Sequence, residues 1–142
     1  MNARLLYRIA AAMFVLFAAG HTVGFLSLRP PTPEALAVRD AMTNVHFQVG
    51  HGSFSYGGFY TGFGLYVTAY MLFSAYVAWH LSGLAGSSPE AARPLGWVFC
   101  ALQVASLVLS LVYFSIVPAV LSGILVACLG WAAAGVRMTV TP

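Results

Sequence analysis

Charge is what this chain has least of. Only 6% of its 142 residues are charged and 61% are hydrophobic, whereas about a quarter of a soluble domain is charged. With a mean hydropathy of +0.88, this balance excludes an ordinary soluble domain and gives an integral membrane protein. The bases are Arg4, Arg8, Arg29, Arg39, Arg93 and Arg137, and the acids are Glu34, Asp40 and Glu90. Arginines so scattered assemble no basic patch, so nucleic acid is excluded as a partner. The pI of about 9.1 reports membrane orientation instead.

Cysteine is nearly as thin. Cys100 and Cys128 both fall inside apolar runs, where a thiol behaves as a small hydrophobe, and no disulfide is expected between them. The chain also lacks HExxH, CxxC, paired carboxylates, internal repeats and low-complexity segments. Enzyme chemistry needs a nucleophile, an acid/base pair or a metal. The expected spans offer one deep histidine, some hydroxyls and no carboxylate, which argues against hydrolysis and phosphoryl transfer. The same poverty of charge argues against ion transport, whose paths are usually lined with it.

Long apolar runs are present in quantity. About 20 residues cross the hydrocarbon, and the sequence supplies runs over roughly 5–28, 57–84, 94–114 and 117–136. The fold expected is an all-α, single-domain, integral membrane four-helix bundle covering 1–142. The first run has the basic start of a signal peptide and a possible cleavage site at Ala18-Ala19-Gly20. Its apolar stretch is long for such a segment, so it reads as a retained helix. With both termini cytoplasmic, the inside carries Arg4, Arg8, Arg93 and Arg137, while Arg29 and Arg39 outside are offset by Glu34 and Asp40. The positive-inside rule therefore gives an N-in, C-in topology. Trp79 closes the second span, Trp97 opens the third and Trp131 closes the fourth, which places one interfacial belt at a single face.

Between the first two spans, Thr32 as N-cap, Pro33 at the first helical position and Glu34 in the first turn predict a short, weakly amphipathic surface helix. Leu36, Val38 and Met42 form its apolar side, and it should fray at Asn44. The segment SGLAGSSPEAARP reads as a cytoplasmic turn. Pro118 makes the last turn tight, so that the third and fourth spans pair antiparallel.

The glycine- and aromatic-rich stretch VHFQVGHGSFSYGGFYTGFG reads as a flexible re-entry into the bilayer. Phe59, Phe63, Tyr66, Tyr70 and Phe73 then form a heptad stripe. Thr61, Gly64, Thr68 and Ala75 lie nearly opposite and should meet the other helices, because membrane helices pack through small residues. Gly58 and Gly62 make a GxxxG pair, which is common in membrane helices.

His21 sits some seven residues from the outer end of its span, and an ionisable residue at that depth marks a functional-site candidate. At comparable depth lie Thr61, Gly64 and Thr68, then Ser106 and Ser110 with Gln103 deeper, then Ser122. These are expected to converge with His21 into one polar layer. The alternative is an imidazole held by a hydroxyl or carbonyl that merely fixes helix packing. His46 and His51 lie nearer the surface. With His21 they make a three-histidine possibility for zinc or copper, although a separation of five residues suits no single helix face. His21 with His51 is compatible with haem, whereas His80 reads as interfacial beside Trp79.

Gly20, His21 and Thr22 on the first span, followed by Tyr56, Phe59, Tyr60, Gly62, Phe63 and Gly64 entering the second, resemble a group of small four-span bacterial membrane proteins. Over roughly the first 85 residues the plan is more loosely similar to DoxX-like four-helix proteins. The redox cysteines and charged intramembrane residues that would strengthen the latter comparison are missing. The resemblance implies a multi-pass bundle in the bacterial cytoplasmic membrane and brings no activity with it. Function is expected to be non-enzymatic: binding of a lipophilic molecule such as a quinone, isoprenoid or lipid, or service as an accessory subunit of a larger membrane complex or homo-oligomer. The candidate ligand residues are His21, Thr22, Tyr60, Thr61, Gly64, Thr68, Gln103, Ser106 and Ser110, with no cofactor. The alternative is a histidine-liganded haem or metal redox protein using His21, His46 and His51.

Overall fold

The computed structural model describes residues 2–136. Arg137, counted above among the cytoplasmic arginines, lies outside the described residues. The elements run α1 Ala3–Ser27, α2 Pro33–Asn44, β1 His46–Val49, β2 Gly52–Ser55, α3 Tyr56–Ser87, α4 Pro89–Tyr113 and α5 Ile116–Ala134. The helices α1, α3, α4 and α5 are each long and apolar enough to cross a membrane. The chain is a multi-pass membrane protein of all-α class with one small β insertion. It divides into two compact units, residues 2–17 with 72–136, and Ala18–Met71.

The first unit, the core unit, gathers one apolar cluster from four helical stretches. Leu6, Tyr7, Ala10 and Phe14 come from α1, Ala75, Ala78 and Leu81 from α3, Ala92, Phe99 and Cys100 from α4, and Leu125, Leu129 and Ala132 from α5. Alanine recurs because lipid-facing helices gain little from burying apolar surface against each other and depend on close packing instead. A Cβ on Gly96 would strike the Tyr7 hydroxyl and come within 3.1 Å of Ala133 Cβ, and one on Gly130 would sit 3.5 Å from Cys100 Sγ. The α4–α5 seam is thus built from small residues. Cys100 and Cys128 are free thiols, and the Cys100 thiol donates to the Val126 carbonyl at 3.7 Å.

Two aromatic contacts mark one end of this unit. The Arg8 guanidinium lies 5.4 Å over the Trp79 ring, and His80 stacks on Tyr76 at 5.7 Å. Trp79, Trp97 and Trp131 are all exposed.

The turn expected over SGLAGSSPEAARP is helical except at Ser88. Leu84 and Ala85 before it continue α3, and Ser88 with Pro89 and Glu90 starts α4 at once. The proline that suggested a break is at the helix start, where its missing amide has no intrahelical partner to lose. Pro94 is accommodated inside α4. Pro118 lies in the first turn of α5, and only Phe114 and Ser115 separate α4 from α5.

The second unit, the cap unit, carries α2 and the sheet. The α2 helix begins as its sequence dictates, with Thr32 Oγ1 accepting from the Ala35 amide at 3.2 Å and Pro33 at its start. It ends at Asn44, where the Val45 amide bonds the Ala41 carbonyl.

The next segment is not the irregular re-entry expected. His46 to Ser55 form an antiparallel hairpin with register His46 to Ser55, Phe47 to Phe54, Gln48 to Ser53 and Val49 to Gly52. Gly50 has φ of +59° and is the one described residue with positive φ. A glycine at the first central position followed by His51 at negative φ is the pattern of a type II′ turn, whose twist suits a two-residue hairpin.

Candidate functional site

Within Ala18–Met71 the polar residues of α1 meet those of α3 in a clasp. His21 donates from Nε2 to the Gly64 carbonyl at 3.1 Å. Because a carbonyl only accepts, that nitrogen carries the ring proton. One turn away, the Thr22 and Thr68 hydroxyls lie 2.9 Å apart. Thr22 also reaches the Ala18 carbonyl at 2.7 Å, and Thr68 reaches the Gly64 carbonyl at 3.4 Å. The Gly64 carbonyl also accepts from the amide four residues on, so its two lone pairs are shared among that amide, the His21 N–H and the longer Thr68 contact.

Gly64 is glycine for a second reason. A Cβ there would collide with the Phe25 ring. Phe25 stacks nearly parallel on the His21 imidazole at 5.7 Å, as residues four apart on a helix can. Its ring also meets Tyr60 at 5.4 Å.

Phe25 and Tyr60 open onto a cavity of about 740 Å³, also walled by Leu26, Leu28 and Pro30 from the end of α1, by the underside of α2, and by Thr61 from α3. That size is within the range of sites for small organic molecules. The α2 face turned to it is Ala35, Val38, Arg39 and Met42, spaced as one helical face requires. Of the apolar side expected for α2, Val38 and Met42 line the cavity and Leu36 does not, with Arg39 among the lining residues; no residue of α2 is buried. A Cβ on Gly57 would lie 3.2 Å from the Met42 carbonyl oxygen. The bare backbone of Gly57 lets the end of α2 sit directly on α3.

The expected ligand set therefore separates into three groups. Tyr60 and Thr61 line the cavity, Thr61 with its hydroxyl turned back to the Gly57 carbonyl at 2.9 Å. His21, Thr22, Gly64 and Thr68 form the clasp and do not line the cavity; Phe25 stands as the shared wall. Gln103, Ser106 and Ser110 belong to the core unit, where Gln103, Ser110 and Ser122 are buried and Ser106 bonds the Leu102 carbonyl at 3.3 Å. Arg39, Met42 and Thr43 were missed as cavity residues, although the 35, 38, 39, 42 spacing was there to find.

Among the described residues no group of three His, Cys, Asp or Glu is gathered for a metal. His46 opens β1 and His51 lies in the turn at the other end of the hairpin, so the length of β1, roughly 10 Å, stands between them. The His46 Nδ1 donates to the Asn44 carbonyl at 2.9 Å. The trio of His21, His46 and His51 is not gathered among the described residues.

Most of the α3 aromatic stripe behaves as its spacing predicts. Phe59, Phe63, Tyr66 and Phe73 are exposed, whereas Tyr70 is half-buried and its hydroxyl is buried without a partner among the described residues. Phe54, Ser55, Gly58, Phe59, Gly62, Phe63 and Tyr66 enclose a shallower groove of about 400 Å³. Thr68 and Gly64 face α1 as expected, whereas Thr61 is exposed. Comparison with protein-family models, curated proteins and solved structures gave no match.

Proposed function

We propose that the chain is a non-enzymatic, four-span membrane protein that takes a lipophilic molecule into the cavity beneath α2. The observation that carries this reading is the cavity itself. It is about 740 Å³, walled chiefly by apolar side chains, with a few hydroxyls and one guanidinium among them. Such a composition suits a lipid, isoprenoid or quinone better than a polar metabolite. His21 acts one residue removed from the ligand, fixing the Phe25 wall by stacking and by its bond to Gly64.

In this reading the protein is a four-helix bundle of the bacterial cytoplasmic membrane, of the small four-span kind that Gly20-His21-Thr22 resembles. Its termini are cytoplasmic, and α2 and the hairpin are on the outer side. Cysteine labelling of intact cells tests the orientation: a probe added outside should reach a cysteine at Thr43 and not one at Ser88.

The binding test is a comparison of co-purified lipophilic molecules by mass spectrometry. Ala35→Trp and Thr61→Trp, which fill the cavity from opposite walls, should each deplete the bound species while the bundle stays folded. Equal amounts in all three proteins overturn the reading.

A second reading, a partner docked on α3, is favoured by the groove of Phe59, Phe63 and Tyr66 around Gly58 and Gly62. A Cβ on Gly62 would meet nothing within 4 Å, so another helix can approach its backbone closely. Oligomer size after Gly62→Leu tests it, and an unchanged size leaves that face to lipid.

A further inference from the structure

We infer that the molecule bound beneath α2 is an anionic amphiphile, its acidic head held by Arg39 and its apolar tail lying along Phe25, Val38 and Met42. This rests on the cavity-binding reading above and names its ligand class. Arg39 is the one charged side chain among the cavity's lining residues, so whatever polar end a ligand presents there meets a cation and no carboxylate. The guanidinium has five donors in a planar fork, and one of them is directed at the Leu28 carbonyl over a long 3.4 Å. A carboxylate or phosphate matches that fork far better than a neutral carbonyl does.

Arg39 also stands where the amphipathic spacing calls for an apolar residue, between Val38 and Met42 on the cavity-lining face of α2. The hydroxyls near it do not replace an anion. Thr43 donates to the Arg39 carbonyl at 3.0 Å, and Ser55 accepts from the Gly58 amide at 3.0 Å. The remaining wall is apolar, which a free inorganic anion would not use.

The test is native mass spectrometry of the full chain released from nanodiscs of equimolar phosphatidylglycerol and phosphatidylcholine, repeated with oleate added. A charge-assisted contact contributes about 1.5–3 kcal/mol, and each 1.4 kcal/mol is tenfold in affinity. The wild type should therefore hold the anionic species over phosphatidylcholine by roughly tenfold or more. Arg39→Gln should lose that preference while still binding lipid, Arg39→Lys should keep part of it, and Arg29→Gln, which alters a charge outside the cavity lining, should keep all of it.

Displacement of phosphatidylglycerol by oleate identifies a site that accepts a single-chain carboxylate, and retention of phosphatidylglycerol identifies a phosphodiester site; both support an anionic head. An unaltered preference in Arg39→Gln, or equal loss in Arg29→Gln, overturns the inference. So does displacement by inorganic phosphate alone. Neutral and anionic lipid bound equally, with loss on Ala35→Trp, would overturn this inference and leave the cavity reading standing. No effect of Ala35→Trp on any lipid would remove both.

Discussion

The imidazole of His21 and the backbone carbonyl of Gly64 are 3.1 Å apart, and this bond joins two helical stretches that the Thr22–Thr68 hydroxyl pair joins again one turn further on. Polar bonds between membrane helices average about 0.6 kcal/mol, because the unfolded chain in the membrane also finds partners. His21→Ala should therefore lower stability by about 1 kcal/mol, adding the lost stacking on Phe25, and His21→Asn by less. Reversible unfolding in mixed detergent micelles measures both. A loss several-fold larger, with disappearance of a bound species, would give His21 a direct ligand role.

Gly64→Ala should be worse than any of these single deletions, since the new methyl occupies the space of the Phe25 ring. Overpacking of this kind costs about 1–3 kcal/mol. Combining it with Phe25→Ala should recover part of the loss, a non-additivity that marks direct contact. Simple addition of the two losses would show that the ring moves aside freely.

Two buried polar atoms in the core unit predict the opposite sign. The Tyr7 hydroxyl and Gln103 Oε1 are buried without hydrogen-bond partners among the described residues, in side chains 0% and 2% exposed. Removing an unsatisfied polar group while keeping its shape is neutral or favourable. Tyr7→Phe and Gln103→Met should leave the thermal midpoint unchanged or higher. A fall in either variant would mean that the group has a partner in the membrane, an ordered water above all.

The hairpin depends on Gly50. A side chain in its left-handed conformation costs about 1–2 kcal/mol, so Gly50→Ala should speed amide exchange across His46 to Ser55 and leave α4 and α5 protected. Uniform loss of protection would show that the hairpin is coupled to global unfolding.

One carboxylate predicts a pH response. The Glu34 carboxyl is held below its ordinary value by its own backbone amide and then by the Thr32 side chain. A depressed pKa contributes stability above the unfolded value of 4.5, which is lost as pH falls through the lower folded value. The first turn of α2 should fray in acid below that point, read from the Ala35 amide by exchange or chemical shift. Glu34→Gln should abolish the response.

Hydropathy made the four long helices legible, because hydrocarbon demands length and apolarity whatever the tertiary detail. The cap on α2 was equally readable in Thr32, Pro33 and Glu34, whose effects are local. The hairpin was hidden for a physical reason: its strands have four residues each, with three of the four pairs containing serine or glycine. The only firm signal was Gly50 followed by His51. For the candidate site, the chain showed His21, Thr22, Gly64 and Thr68 as intramembrane polar residues, and these do meet. It did not show that Phe25 stands between them and the cavity, or that Arg39 lines it. Both depend on how closely α2 approaches Gly57, which no single helix pattern contains.

The two-residue connection at Phe114 and Ser115 bears on how the protein is made. Segments so close in sequence lose little chain entropy in meeting, and contacts of short sequence separation form early. Helices α4 and α5, packed on each other over the seam of Gly96, Cys100 and Gly130, are therefore expected to pair early once both are in the bilayer. Such a hairpin would offer a preformed surface to Tyr7 and Phe14, which share its cluster.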